Sequence, residues 1–396
     1  MILFFLLVLM LVLSAGSQAR ADYFPRDEFK TYHSEGRYPF WNSTWLSLDP
    51  RVRFDSQGIP IVGYGALPSY NPVTIAAFGL LAYNKFEERA NTRDRVFFLK
   101  MADWLVAHQE SKCGCWYYDF DFSYLTLDDT IEKPWTSAMA QGLAISVMTR
   151  AYFLTNDSSY VRVAQRALLP FHKTVEDGGV NRSFSLAAGA APDGENSFYE
   201  EYPTMHAPSF TLNGFMFALV GLYDLSQLNN QDAEELFRQG LHTLRVALPL
   251  YDLGDGSSYD LGHLTRPPRG VHQDDGYHLI HITLLNALGT ATLDPTLLWY
   301  RDHWNGYGTS FGTEVIWLRR VAYWLMRQQQ AAVAIAALLL FAILGILTRI
   351  LGRQAKMRNL QSAQATLRLA TFAQAQGLVS ATLEDEARPR RDGIPG

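Results

Sequence analysis

The chain has 396 residues, with 34 Lys and Arg against 39 Asp and Glu, for a net charge of −5. Hydrophobic residues make up 48% and charged residues 18%, which excludes a disordered polymer and allows one large domain or two ordinary ones. The mild acidity argues against a nucleic-acid partner, and two cysteines, Cys113 and Cys115, exclude a disulfide scaffold and a multi-thiolate zinc site.

Residues 1–21 open with an apolar run from Ile2 to Leu13 and close on Ala19-Arg20-Ala21. This is the pattern of a signal peptide cleaved before Asp22 or, since a charged start is missing, of an uncleaved N-terminal anchor. Residues 22–70 are aromatic and broken by Pro and Gly, an irregular lead-in with a β-hairpin. Over 71–310 a helical period takes over. The first predicted pair is 73–89 and 93–110, with Pro72 suited to the first turn. The second is 135–154 and 158–173, turning at Asn156-Asp157; the third is 212–225 and 233–251. The fourth opens at 277–288 and continues through Pro295 to 303. Glycine-rich stretches separate the pairs. Cys113-Gly114-Cys115 lies in the first of them, too tight for a relaxed disulfide and too poor in ligands for zinc.

Helix pairs recurring every ~65 residues predict a mainly α fold of the (α/α) toroid type, with the first helix of each pair inside. Four pairs make an incomplete helical-hairpin barrel. Residues 331–351 then form an apolar stretch near the ~20 residues that span a bilayer; the plain alternative is a buried core helix. Arg349, Arg353, Lys356 and Arg358 follow it. The expectation is a single-pass membrane protein, with 71–310 on the extracytoplasmic (periplasmic or lumenal) side and 352–396 as a cytoplasmic tail.

Several separated motifs carry a family likeness. Phe198-Tyr199-Glu200-Glu201-Tyr202-Pro203-Thr204, Leu212-Asn213-Gly214-Phe215-Met216 and Gly221-Leu222-Tyr223-Asp224-Leu225 lie in its centre. Trp135-Thr136-Ser137-Ala138-Met139-Ala140-Gln141-Gly142 precedes them; Leu248-Pro249-Leu250-Tyr251-Asp252, Tyr259-Asp260-Leu261 and Tyr277-His278 follow. In that order they resemble the C-terminal domain of the glucuronyl C5-epimerases of heparan sulfate and heparosan, over roughly 58–305.

The resemblance implies a helical toroid with a substrate cleft and a cofactor-free isomerase that acts on an acidic polysaccharide. It puts the catalytic glutamate and tyrosine on Glu201 and Tyr202, two further active-site tyrosines on Tyr259 and Tyr277, and a substrate-binding asparagine on Asn213. Tyr70, Trp135, Ser137, Gln141, His263 and His278 complete the expected substrate-binding set. Calcium and dimerisation are both within the family's range, but no calcium ligands can be traced. The family arginine three residues after the Tyr259 position is Gly262 here, which leaves Arg266 and Arg269 as substitutes.

The chemistry suits these residue types. Inverting C5 of a uronate removes a proton from a carbon beside a carboxylate, so the site must stabilise an enolate-like dianion. It also needs a proton-handling group on each ring face. Glu201 and Tyr277 are expected to be those groups, with Tyr202 and Tyr259 bonding the substrate. The segments at Tyr70-Asn71-Pro72, Pro134-Trp135, Leu212-Asn213 and Gly276-Tyr277 start the first helix of each pair, where partial positive charge favours an anion. The absence of a Gly-x-Gly-x-x-Gly run argues against inversion through a nicotinamide.

Plainer readings stand beside these. The plain reading of Glu200-Glu201 is a solvated pair, that of Asn213 an N-cap, and that of His278 and His281 packing or substrate contact rather than metal ligation. A polysaccharide lyase of the same architecture and a non-catalytic glycan-binding protein are the rival functions.

Overall fold

Two kinds of helix alternate along the chain, and their sequences tell them apart. The computed structural model describes residues 22–40, 51–63, 68–124, 130–186, 196–267 and 269–308, all in the compact unit Met1–Glu314. The expected leader at 1–21 and membrane helix at 331–351 lie outside the described residues. Among the described residues no helix is long and apolar enough to cross a membrane.

The helices are α1 (Pro72–Arg89), α2 (Thr92–His108), α3 (Ala138–Thr155), α4 (Ser158–Arg166), α5 (Leu212–Ser226), α6 (Gln231–Tyr251), the short α7 (Gly262–Thr265), α8 (Asp275–Thr292) and α9 (Pro295–Asn305). They form hairpins α1–α2, α3–α4, α5–α6 and α8–α9. The first helices also pack on one another, α1 on α3, α3 on α5 and α5 on α8. These make an inner row with their partners outside.

Burial follows that division. Every residue of α3 from Ala138 to Ala151 is buried, and in α5 every residue from Leu212 to Leu225 except Tyr223. In α2 only Phe98, Met101, Ala102 and Leu105 are buried, the i, i+3, i+4, i+7 stripe of a one-sided helix. The inner helices approach backbone to backbone. A Cβ on Gly221 would meet the carbonyl oxygen of Gly142 at 2.2 Å, so only glycine allows α3 and α5 to cross there.

The turns follow local capping chemistry. Asn71, Asn91, Asp157, Asn230, Asp274 and Asp294 each accept a backbone N–H of the helix they precede. The fourth pair continues through Pro295 as expected, turning where left-handed Leu293 ends α8 and Asp294 caps α9. The helix expected over 158–173 stops at Arg166, and Pro170 lies in a separate 3-10 turn, Leu169–His172. Cys113 and Cys115, left unassigned by the sequence, are disulfide-bonded. Gly114 between them takes a left-handed φ of 66°, and their Cα atoms lie 5.2 Å apart.

Small antiparallel sheets join the helices: β1 (Val52–Phe54), β2 (Pro60–Gly63) and β3 (Pro68–Tyr70); β4 (Phe122–Ser123) with β5 (Thr130–Ile131); and β6 (Asn181–Ser183) with β7 (Ser197–Tyr199). The hairpin expected within 22–70 is β1–β2, and the part of the lead-in at 22–40 is a strap. It starts against Asn305 of α9, where the Tyr23 N–H donates to the Asn305 carbonyl. It then crosses the C-terminal thirds of the inner helices. Asn286 Nδ2 donates to the Lys30 carbonyl, Tyr32 donates its hydroxyl to Asp224 of α5 at 2.6 Å, and the Tyr38 N–H donates to Asn84 of α1 at 2.6 Å. Beneath the strap, Arg150 of α3 pairs with Asp224 at 2.7 Å, both side chains wholly buried.

Candidate active site

The opposite ends of the inner helices, their N-termini, hold the expected chemistry. The β6–β7 hairpin delivers Glu200 and Glu201. The Glu200 N–H donates to the Val180 carbonyl, and the Glu200 carbonyl accepts the Ala138 N–H at the start of α3. The Tyr259 carbonyl likewise accepts the Leu212 N–H at the start of α5. The Asp274 carboxylate accepts the N–H groups of Gly276 and Tyr277, which sets Tyr277 in the first turn of α8. Tyr277 is therefore in the first turn of α8, Tyr259 is backbone-bonded to the start of α5, and Glu200, next to Glu201, to the start of α3.

The two adjacent glutamates differ sharply. Glu200 Oε2 accepts from the Ser209 hydroxyl at 2.8 Å and the Phe210 N–H at 3.2 Å, and Arg182 lies 3.5 Å from Oε1. Burial raises its carboxyl to about 7 against the pull of Arg182. Glu201 is also buried, yet its Oε2 has no hydrogen-bond partner. Burial pushes Glu201 up to about 8; the Glu200 charge adds to this, while the Tyr202 hydroxyl and Gly214 N–H oppose it. Gly214 is what lets the carboxyl sit at the start of α5, since a Cβ there would lie 2.3 Å from Oε2. The solvated-pair reading fails for both residues.

Around Glu201 stand the phenols. Tyr202 and Tyr259 share a hydrogen bond of 3.3 Å, and the Tyr259 and Tyr277 rings are 4.2 Å apart. Burial raises both Tyr202 and Tyr259 well above the usual phenol value, and the Glu201 charge adds to it. They are neutral hydrogen-bond donors, not phenolates. Tyr124, which sequence reasoning missed, packs 4.5 Å from Tyr202. It lies in an irregular stretch with no motif to mark it.

Other expected binding residues divide into two groups. Asn213 Oδ1, Ser137 Oγ and His263 Nδ1 are buried without a hydrogen-bond partner. Asn213 is not the N-cap: that position is Thr211, and Asn213 is already inside the first turn. An unpaired buried polar atom costs on the order of 1–3 kcal/mol, and such costs concentrate where a ligand would be bound.

The second group has its polar atoms engaged elsewhere. Gln141 Oε1 accepts from the Trp116 N–H at 3.1 Å, and Nε2 donates to the Gly114 and Ala167 carbonyls at 3.1 and 3.0 Å. It is a bracket between loops rather than a cleft residue. His278 bonds the Ser257 hydroxyl through Nδ1 at 2.8 Å and the Trp304 carbonyl through Nε2 at 3.1 Å. Burial lowers it to about 4, so it is neutral. His281 shares that hydroxyl at 2.7 Å, as packing would have it. Trp135 donates Nε1 to the Phe120 carbonyl and stacks on Tyr118 at 4.0 Å, in an aromatic wall on which Tyr202 packs. Tyr70 is exposed; its hydroxyl donates to Asp55 at 2.7 Å, and its ring leans on Trp104. Local partners take the polar atoms of all four, and Trp135 alone belongs to the wall behind Tyr202.

Among the described residues no group of three or more His, Cys, Asp or Glu side chains converges to hold a metal ion.

Helical hairpins that converge a buried carboxyl and three phenols on their N-termini agree with a known class. The chain belongs to the family of the D-glucuronyl C5-epimerase C-terminus, whose model matches residues 109–306, half of its length. It is 37% identical over 243 residues to D-glucuronyl C5-epimerase of Caenorhabditis elegans, covering 58% of this chain and 37% of that one. It is 30% identical over 191 residues to an uncharacterized protein of Methanocaldococcus jannaschii, covering 48% of this chain and 56% of that one. The chain thus spans well under two thirds of either relative. Among solved structures, cellobiose 2-epimerase of Spirochaeta thermophila aligns with a TM-score of 0.43 at 12% identity, over 64% of this chain and 63% of that one.

Proposed function

We propose that this chain inverts C5 of uronate residues within an acidic polysaccharide, D-glucuronate to L-iduronate being the reference case, without a cofactor. The observation that carries this reading is Glu201: a buried carboxyl with one oxygen unbonded, set at the start of α5 beside the Tyr202–Tyr259 pair. A base with a raised pKa is suited to take a proton from a weak carbon acid.

In this mechanism ionised Glu201 takes the C5 proton, and the electron pair left behind spreads into the carboxylate as an enolate. Neutral Tyr202 and Tyr259 donate hydrogen bonds to the charge that develops, and the first turn of α5 adds partial positive charge. Tyr277 delivers a proton from the other ring face, its O–H bond breaking as the new C5–H bond forms. Exchange with solvent then returns Glu201 to carboxylate and Tyr277 to phenol. The polymer leaves with unchanged mass.

The same reading takes the inner helix row as part of an incomplete (α/α) toroid. It also includes the membrane tether expected at 331–351 and a homodimer, which the described residues do not reach.

The deciding experiment incubates heparosan and alginate-type polymers with the protein in deuterated water. Deuterium at C5 with unchanged chain length is the expected result, with exchange lost in Tyr277→Phe. Shortened chains with an ultraviolet-absorbing end would assign a lyase. Binding without exchange, in wild type and Glu201→Gln alike, would assign a binding protein.

A further inference from the structure

A uronate site needs a cation for the sugar carboxylate, and cations near the phenols are scarce. Arg182 is committed: it reaches Glu176 at 3.0 Å, the Thr204 carbonyl at 2.5 Å and Glu200 at 3.5 Å. Arg269 is different. Its guanidinium donates from Nη2 to Asp260 Oδ2 at 2.7 Å. Its guanidinium carbon lies 5.6 Å over the ring of Tyr124, which packs on Tyr202. The side chain keeps 17% of its surface exposed.

Asp260 is built to hold that cation. It accepts from the Tyr124 hydroxyl at 2.5 Å and the Gly262 N–H at 2.8 Å, and His272 stands 3.7 Å away, between Asp260 and the ring of Tyr259. The guanidinium then crosses α7 at its first residue. A Cβ on Gly262 would lie 1.9 Å from Arg269 Nη1, so position 262 has no side chain because the guanidinium fills that space. His263, next in the chain after Gly262, has a buried Nδ1 with no partner. We infer that Arg269, carried across Gly262 and fixed by Asp260, is the specificity-determining residue that receives the substrate carboxylate. This inference rests on the proposed uronate chemistry.

The test is a binding comparison in the full-length protein carrying Glu201→Gln, so that no turnover occurs. Heparosan is compared with its carboxyl-reduced form by calorimetry. Arg269→Gln is expected to weaken heparosan binding by about 10- to 100-fold, the range for one hydrogen bond to a charged group, and to leave carboxyl-reduced polymer unaffected. Because Arg269→Gln strands buried Asp260, the double variant Asp260→Asn/Arg269→Gln is measured beside it, with thermal unfolding as the check on folding. It should lose the same discrimination. Moving the cation back, in Gly262→Arg/Arg269→Gly, should restore it. If wild type exchanges C5 hydrogen but the folded Arg269 variants discriminate as before, this inference fails alone. If wild type neither binds heparosan nor exchanges C5 hydrogen, the proposed function fails with it.

Discussion

At the two ends of its inner helices the protein buries the carboxyls of Asp224 and Glu201 in opposite ways. At the C-terminal end, Arg150 and Asp224 are wholly buried but matched. The guanidinium donates to Asp224, the Ser146 carbonyl, the Gly36 carbonyl and the Tyr32 hydroxyl, and the Tyr38 ring lies 5.2 Å from it. At the N-terminal end, Glu201, Asn213 and Ser137 are buried with atoms that bond nothing. A matched buried charge fastens the fold; an unmatched one is a cost that a ligand can relieve. The strap closes one end of the row and does not cover the other.

Three changes test that contrast. The largest effect is expected at the unmatched end. Glu201→Gln should lower C5 exchange by about 10²- to 10⁴-fold, the usual contribution of one acid–base group, while the protein stays folded. Its stability should also respond to pH differently from wild type. The Glu201 carboxyl rises from 4.5 to about 8 on folding, so the folded state holds the proton more tightly. Its stabilising contribution is complete below pH 4.5 and is lost as pH rises through about 8. Urea midpoints across that window should fall in wild type relative to Glu201→Gln, and the exchange rate of wild type should climb over the same range as the base ionises. Parallel stability curves would mean that Glu201 is not buried as described.

At the matched end, Asp224→Ala should cost roughly 3–5 kcal/mol, because Arg150 is left buried without its counter-ion. The measurement is urea denaturation, and residual exchange per folded molecule should be nearly unchanged. A loss of exchange in the folded fraction would show that the ends are coupled. The smallest effect is expected at Tyr70→Phe, which removes an exposed hydrogen bond to Asp55. It should change stability by about 0.5 kcal/mol or less and leave exchange intact. A tenfold drop in exchange would return Tyr70 to the site.

Much of this arrangement was legible in the chain itself. The recurrence of helix pairs placed the first helix of each pair inside, and the packing of α1, α3, α5 and α8 on one another agrees. Asp157 and Asn230 announce their turns through local capping that needs no distant partner. Family motifs marked Glu201, Tyr259 and Tyr277, and Asp260 stands inside one of the same motifs. Gln141 and His278 also lie in motifs, yet they serve packing, because their partners, Trp116 and Trp304, come from other parts of the chain. Tyr124 carried no signal at all.

What the sequence determined alone was local: where helices begin, which faces are apolar, and which carboxyls and phenols lie near helix starts. Which of two adjacent glutamates is satisfied and which is bare was decided only by the folded chain. Ser209 and Phe210 approach Glu200, whereas Gly214 admits Glu201 to the start of α5. Desolvation and hydrogen bonding depend on which atoms meet in space, and one-dimensional spacing does not carry that information.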